Sequence, residues 1–152
     1  MRSATGYCTL AMKQVEIYID GAAKGNPGPA GIGVVIYQDG SVLKNISNYI
    51  GNATNNIAEY TALIYGLQEA LILKVENIKI NTDSQLLYRQ VKREYKVKNL
   101  NILGLYNQAI HLMSGFKEVS INHIPRQENR GADKLANIAI KEAAKRGRVK
   151  NI

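Results

Sequence analysis

A mixed α/β fold is predicted by three features of the chain: strand-like alternation repeated before residue 50, a long helical pattern directly after it, and a further strand pattern beyond that helix. The alternation begins where Val15, Ile17 and Ile19 face one way and Glu16, Tyr18 and Asp20 the other. After a glycine-rich segment, Gly31 to Tyr37 (GIGVVIY) is apolar and β-branched, the Asp39-Gly40 pair marks a tight hairpin, and Val42 to Ile50 reads as a third strand. An antiparallel meander results.

From Asn56 to Lys74, Ile57, Ile64, Leu67 and Leu71 recur at near-helical spacing, and Asn56 with Glu59 fits an N-x-x-E capping box. Ile78 to Thr82 is a short strand, Ser84 to Tyr95 and Leu100 to Met113 are helical, and Glu118 to Ile124 is a fifth strand. Pro125 to Arg130 forms a loop before a final helix over Gly131 to Arg146, whose core stripe includes Leu135, Ile138 and Ala139. The order is therefore βββαβααβα. A helix leaving strand three must carry the chain back to a parallel neighbour, and the simplest topology sets strand four beside strand one. Asp20 and Asp83 then meet at neighbouring carboxyl ends, where open α/β sheets place their sites.

At 152 residues the chain suits one domain, long enough to bury roughly 70% of its unfolded surface. With 45% apolar and 21% charged residues and no long apolar run, a membrane span is excluded. One cysteine, Cys8, and two histidines cannot form an internal disulfide or an ordinary structural zinc site, so a reducing, cytoplasmic setting is expected. Twenty Lys and Arg against twelve Asp and Glu leave a net charge of +8, which favours a polyanion such as nucleic acid. Arg89, Lys92, Arg93, Lys96 and Lys98 crowd one stretch, and Lys141, Lys145, Arg146, Arg148 and Lys150 load the C-terminal end.

In so basic a chain, four acids stand out by position. Each has a local explanation: Asp20 could begin an Asp-Gly turn, Glu59 complete a capping box, Asp83 cap a helix, and Asp133 oppose a helix dipole. Yet all four fall at a strand end or helix start that the topology can bring together. Clustered carboxylates repel unless a cation neutralises them, and hard oxygen-binding Mg²⁺ is the natural one. Two such ions roughly 3.5 to 4 Å apart support phosphodiester hydrolysis. The glycines argue against a nucleotide loop, because Gly28, Gly31 and Gly33 lead into a strand with no Gly-Lys-Ser/Thr ending. They are expected to turn the chain tightly so that backbone and Asn26 approach a ligand.

Four ordered segments carry a family resemblance: "YIDGAAKGNPGPAG" with Asp20, "TNNIAEYTAL" with Glu59, "INTDSQLL" with Asp83, and "ENRGADKLAN" with Asp133, at spacings of 39, 24 and 50 residues. The chain resembles type 1 ribonuclease H. The resemblance implies a ribonuclease H-like α/β fold: a five-stranded mixed sheet, its first three strands antiparallel and strands one, four and five parallel, flanked by helices. It also implies a catalytic domain over residues 14–146, between a disordered tail at 1–13 and a basic tail at 147–152. The implied activity is a metal-dependent endonuclease that hydrolyses RNA in RNA/DNA hybrids and leaves 3′-hydroxyl and 5′-phosphate ends. The alternative is a catalytically weak hybrid- or RNA-binding module of the same fold.

Carried over by the same resemblance, Asp20, Glu59, Asp83 and Asp133 hold two Mg²⁺ ions, with Mn²⁺ as a substitute, and Asp20 bridges them. Asn26, Asn55 and Gln85 match minor-groove contacts, and Thr54 with Asn26 a pocket for a DNA phosphate. His123 resembles an auxiliary histidine for proton transfer or product release, although "INHIPRQEN" reads as a strand rather than a mobile glycine loop. With no Trp and a short stretch after Asp83, the chain looks like the subgroup lacking a basic protrusion, and Arg89 to Lys98 offer a replacement grip. A monomer without an obligate protein partner is expected.

Overall fold

The computed structural model describes residues 14–148, so the expected tail at 1–13 and residues 149–152 of the basic tail lie outside the described residues. Strands β1 (Gln14–Ala23), β2 (Gly28–Gln38) and β3 (Ser41–Ala53) form the meander. Helix α1 (Asn55–Ile72) leads to β4 (Asn77–Thr82), followed by α2 (Gln85–Val91), α3 (Leu100–Met113) and β5 (Glu118–His123). A 3-10 turn (Arg126–Glu128) precedes α4 (Arg130–Lys145). The sheet order is β3-β2-β1-β4-β5. β1 and β3 pair antiparallel with β2, and β1, β4 and β5 run parallel, as the sequence predicts.

One face of the sheet carries the main core. Val15 and Ile17 lie level with Ile78 and Ile80 in the β1–β4 register, and all four are buried with Leu63 and Leu67 of α1. Burying side chains of this kind stabilises by about 1.5–3 kcal/mol each, and their clustering fixes the register because a one-residue slip would expose the set. α3 packs on α1, while α4 covers β1, β2 and β3 from the other face.

Three local expectations need correction. The α1 cap is Thr54, whose Oγ1 accepts from the Ile57 N–H at 3.2 Å, so no Asn56–Glu59 box forms and Glu59 is free for other work. α2 ends at Val91 rather than Tyr95, because Arg93 takes a left-handed φ of 64° and the N–H groups of Glu94 and Tyr95 both turn back to the Arg89 carbonyl. The α4 stripe is Ala132, Ala136, Ala139, Ile140 and Ala143, with Leu135 and Ile138 only half-buried at its flanks. Small residues face the sheet there because the helix backbone approaches it closely.

The glycines turn the chain as expected, with Gly25 at a φ of 110°, and close helix approach gives others a second role. β1 continues to Ala23 and β2 starts at Gly28, which confines the turn to residues 24–27. A Cβ on Gly33 would lie 2.0 Å from the Ala132 carbonyl oxygen of α4, and one on Gly21 would lie 2.2 Å from the Ala58 carbonyl carbon of α1. Both helices are seated on glycine. Gly33→Ala is therefore expected to cost about 3 kcal/mol through overpacking. Gly104→Ala, which meets no neighbour in mid-α3, should gain up to about 1 kcal/mol. Urea unfolding midpoints that fall for the first and hold or rise for the second would bear this out.

Candidate active site

Parallel pairing of β1 with β4 sets Ile19 level with Thr82, so Asp20 and Asp83 leave adjacent strands at the same end of the sheet. Asp20 is only 5% exposed. Glu59 arrives from the first turns of α1, where its carboxylate accepts from the Gly21 N–H at 2.8 Å. Among the described residues, oxygens of Asp20, Glu59 and Asp83 all lie within 4.8 Å of one another. Asp133 stands beside Asp20 on the first turn of α4. Its Oδ1 faces Asn137 Nδ2 at 3.3 Å and Arg126 Nη2 at 3.7 Å.

Burial pushes the Asp20 carboxyl up to about 9, and the charges of Glu59 and Asp83 add to the shift. Glu59 is also raised by burial, offset in part by the Gly21 N–H and then by the Arg126 guanidinium. Asp83 is raised by burial and held back by the Asn129 side chain and Arg126. Such a set is unfavourable as bare anions. It fits a hard divalent cation, which takes oxygen ligands and would restore the ionised forms.

The residues matched to nucleic-acid contact gather beside this cluster. Asn26 Oδ1 accepts from the Asn55 N–H at 3.0 Å, and Asn55 Oδ1 from the Ala23 N–H at 3.1 Å. Asn26, Thr54 and Asn55 line a cleft of about 380 Å³ with Asn56, Asn99 and Asn101, over Ile57 and Ile102. Gln85 is exposed at the start of α2, just after Asp83. His123 sits exposed at the end of β5, its ring stacked on Tyr88 at 5.7 Å, near enough to Asp83 to lower that carboxyl slightly. It belongs to the rim and is outside the carboxylate cluster.

The chain matches the family described as reverse transcriptase-like over residues 18–139. Ribonuclease H1 from the archaeon Halobacterium salinarum superposes with a TM-score of 0.84 at 40% identity, covering 86% of this chain and 99% of that one. The chain belongs to the type 1 ribonuclease H family. Within that family, LC11 ribonuclease H1, isolated from compost and solved with an RNA/DNA hybrid, is similar at 40% identity and a TM-score of 0.82, covering 86% of this chain and 99% of that one. A bifunctional protein of Mycobacterium tuberculosis is 42% identical over 133 residues, or 86% of this chain. The chain spans only 36% of that relative's length. No helix among the described residues of this ribonuclease H family member is long and apolar enough to cross a membrane.

Sequence reasoning missed several residues that the ribonuclease H fold brings to the site. Arg126 lies in the Pro125–Arg130 segment read as a plain loop, yet its charge reaches Glu59, Asp83 and Asp133. Asn99 and Asn101 stand more than forty positions from Asn55 in sequence but share its cleft. A polar pair at a helix start, Asn99 capping α3 by accepting from the Asn101 N–H at 2.8 Å, was the available signal.

The raised Asp20 carboxyl makes metal-free stability depend on pH. Its folded value of about 9 lies above the ordinary 3.8, so as pH rises the unfolded chain releases this proton first. Stability from this group is then present in full at low pH and lost between about pH 4 and pH 9. Asp20→Asn, which cannot ionise, should melt at a higher temperature than the native chain in EDTA at pH 8, with a smaller difference at pH 4. Calorimetry at the two pH values checks the sign.

Proposed function

We propose that the chain is a metal-dependent endoribonuclease that hydrolyses the RNA strand of RNA/DNA hybrids, giving 3′-hydroxyl and 5′-phosphate ends. The observation that carries this reading is the convergence of Asp20, Glu59 and Asp83 within 4.8 Å in a protein of net charge +8. Asp20, Glu59, Asp83 and Asp133 would hold two Mg²⁺ ions, or Mn²⁺ in their place. When bound, such ions activate a water and stabilise the leaving oxygen of a phosphodiester. The chain's own part is to hold the acids together against repulsion, through the Gly21 N–H on Glu59 and the Arg126 charge.

Recognition falls to neutral groups. Asn26, Asn55 and Gln85 would read the minor groove, where amides both donate to and accept from the 2′-hydroxyls that distinguish RNA from DNA. Thr54 and Asn26 would seat a DNA phosphate, and Asn56, Asn99 and Asn101 extend that cleft. Exposed Lys92, Arg93, Lys96 and Lys98 supply the sequence-independent grip of a member without the basic protrusion. His123 serves as an auxiliary group at the rim. The catalytic unit spans residues 14–146 and acts as a cytoplasmic monomer.

Labelled hybrid, double-stranded RNA and double-stranded DNA incubated with Mg²⁺ provide the test. The hybrid should be cut in its RNA strand, and Asp20→Asn should cut it at least 1,000-fold more slowly. Tight hybrid binding without cutting by the native chain would instead make it a binding module. Equal cutting by the variant, or preference for DNA, would sink the proposal. Gln85→Ala should raise KM for the hybrid about three- to tenfold with little change in kcat, the scale of one lost hydrogen bond.

A further inference from the structure

Asn129 stands four residues before Asp133 in the fourth motif, and the proposed chemistry leaves it without a role. It is 1% exposed. Its Nδ2 donates to the Ile19 carbonyl at 2.8 Å, the peptide that leads directly into Asp20. The same side chain lies against the Asp83 carboxyl. Its main-chain carbonyl accepts from the Asp133 N–H at 3.1 Å. One residue on the approach to α4 thus touches the supports of acids carried by β1, by the end of β4 and by α4 itself.

The second observation is an orphan. Asn129 Oδ1 is buried and has no hydrogen-bond donor among the described residues. An unpaired buried acceptor carries a penalty that an apolar group of the same shape would avoid, so its place beside the acids calls for a reason. An acceptor beside a carboxylate cluster suits a site that receives a hydrated cation, whose waters are donors.

We propose that Asn129 is a positioning residue that sets the separation of Asp20 from Asp83 and thereby the affinity of the carboxylate cluster for a divalent cation, with Oδ1 left to accept from the cation's hydration water. Its main-chain bonds do not involve the side chain and are kept by alanine or leucine, so the side chain can be examined separately from the helix start. The inference rests on the metal-dependent reading above, but its first measurement needs no nucleic acid.

The test is Mn²⁺ titration by calorimetry of the native chain, Asn129→Ala and Asn129→Leu, each first melted in EDTA to establish folding. Both variants should bind Mn²⁺ at least tenfold more weakly. In hybrid cleavage they should need correspondingly more Mn²⁺ to reach half-maximal rate, while saturating Mn²⁺ restores kcat to within a few-fold and KM for the hybrid is unchanged. A folded variant with native Mn²⁺ affinity overturns the proposal, as does a loss of kcat that no Mn²⁺ concentration restores. If Asn129→Ala does not fold, Asn129→Leu decides, and failure of both to fold assigns Asn129 to stability alone and overturns it. Native Mn²⁺ binding, weakened in the variants, without hybrid cleavage would sink the nuclease reading and leave this one standing.

Discussion

Repulsion among carboxylates at the shared end of β1 and β4 is the constraint on which the rest of the structure depends. Asp20, Glu59 and Asp83 present oxygens within 4.8 Å of one another, with Asp20 almost fully buried. In low dielectric such groups resist ionisation together, and all three carboxyls are accordingly raised. The surrounding protein supplies only partial relief, from the Gly21 N–H, the Arg126 guanidinium and the Asn129 side chain. What remains unsatisfied is chemically complementary to a divalent cation.

Holding the acids in place falls to packing elsewhere. Ile17, Ile19, Ile80, Leu63 and Leu67 are fully buried in one cluster, which packs β1, β4 and the helix bearing Glu59 together. Gly21 lets the α1 backbone settle against β1 one residue beyond Asp20, which places the Glu59 carboxylate on the Gly21 N–H. Gly33 does the same for α4 opposite Asp20 and so brings Asp133 close. The two contacts seat one helix on each face of the β1–β2 pair, through a glycine on each strand.

Charge and recognition are divided between different surfaces. The cleft beside the acids is lined by five asparagines and a threonine rather than by cations, which suits short-range hydrogen bonding. Positive charge sits farther out, on the turn after α2. Arg89 is committed there to Glu94 and lies over the Tyr95 ring at 5.8 Å, so it shapes the turn while Lys92, Arg93, Lys96 and Lys98 remain exposed. Long-range attraction needs no fixed geometry, whereas reading hydroxyls does.

The sequence alone determined the strands, the helices, their order and the positions of the four acids at strand ends and helix starts, because period-two and near-helical patterns and motif spacing are local properties of the chain. Val15 to Ile19 and Ile57 to Leu71 announce their structures without reference to anything distant. The α1 cap, the early end of α2 and the alanine face of α4 were decided elsewhere. The cap falls to Thr54 while Glu59 is drawn to the distant Gly21 N–H, α2 ends on the left-handed Arg93, and the α4 face is set by the glycines of β2 beneath it. Arg126 and Asn129 were invisible for the same reason. Their meaning lies in which carboxylates and carbonyls they face, and only the folded chain brings Ile19, Asp83 and Asp133 to one place.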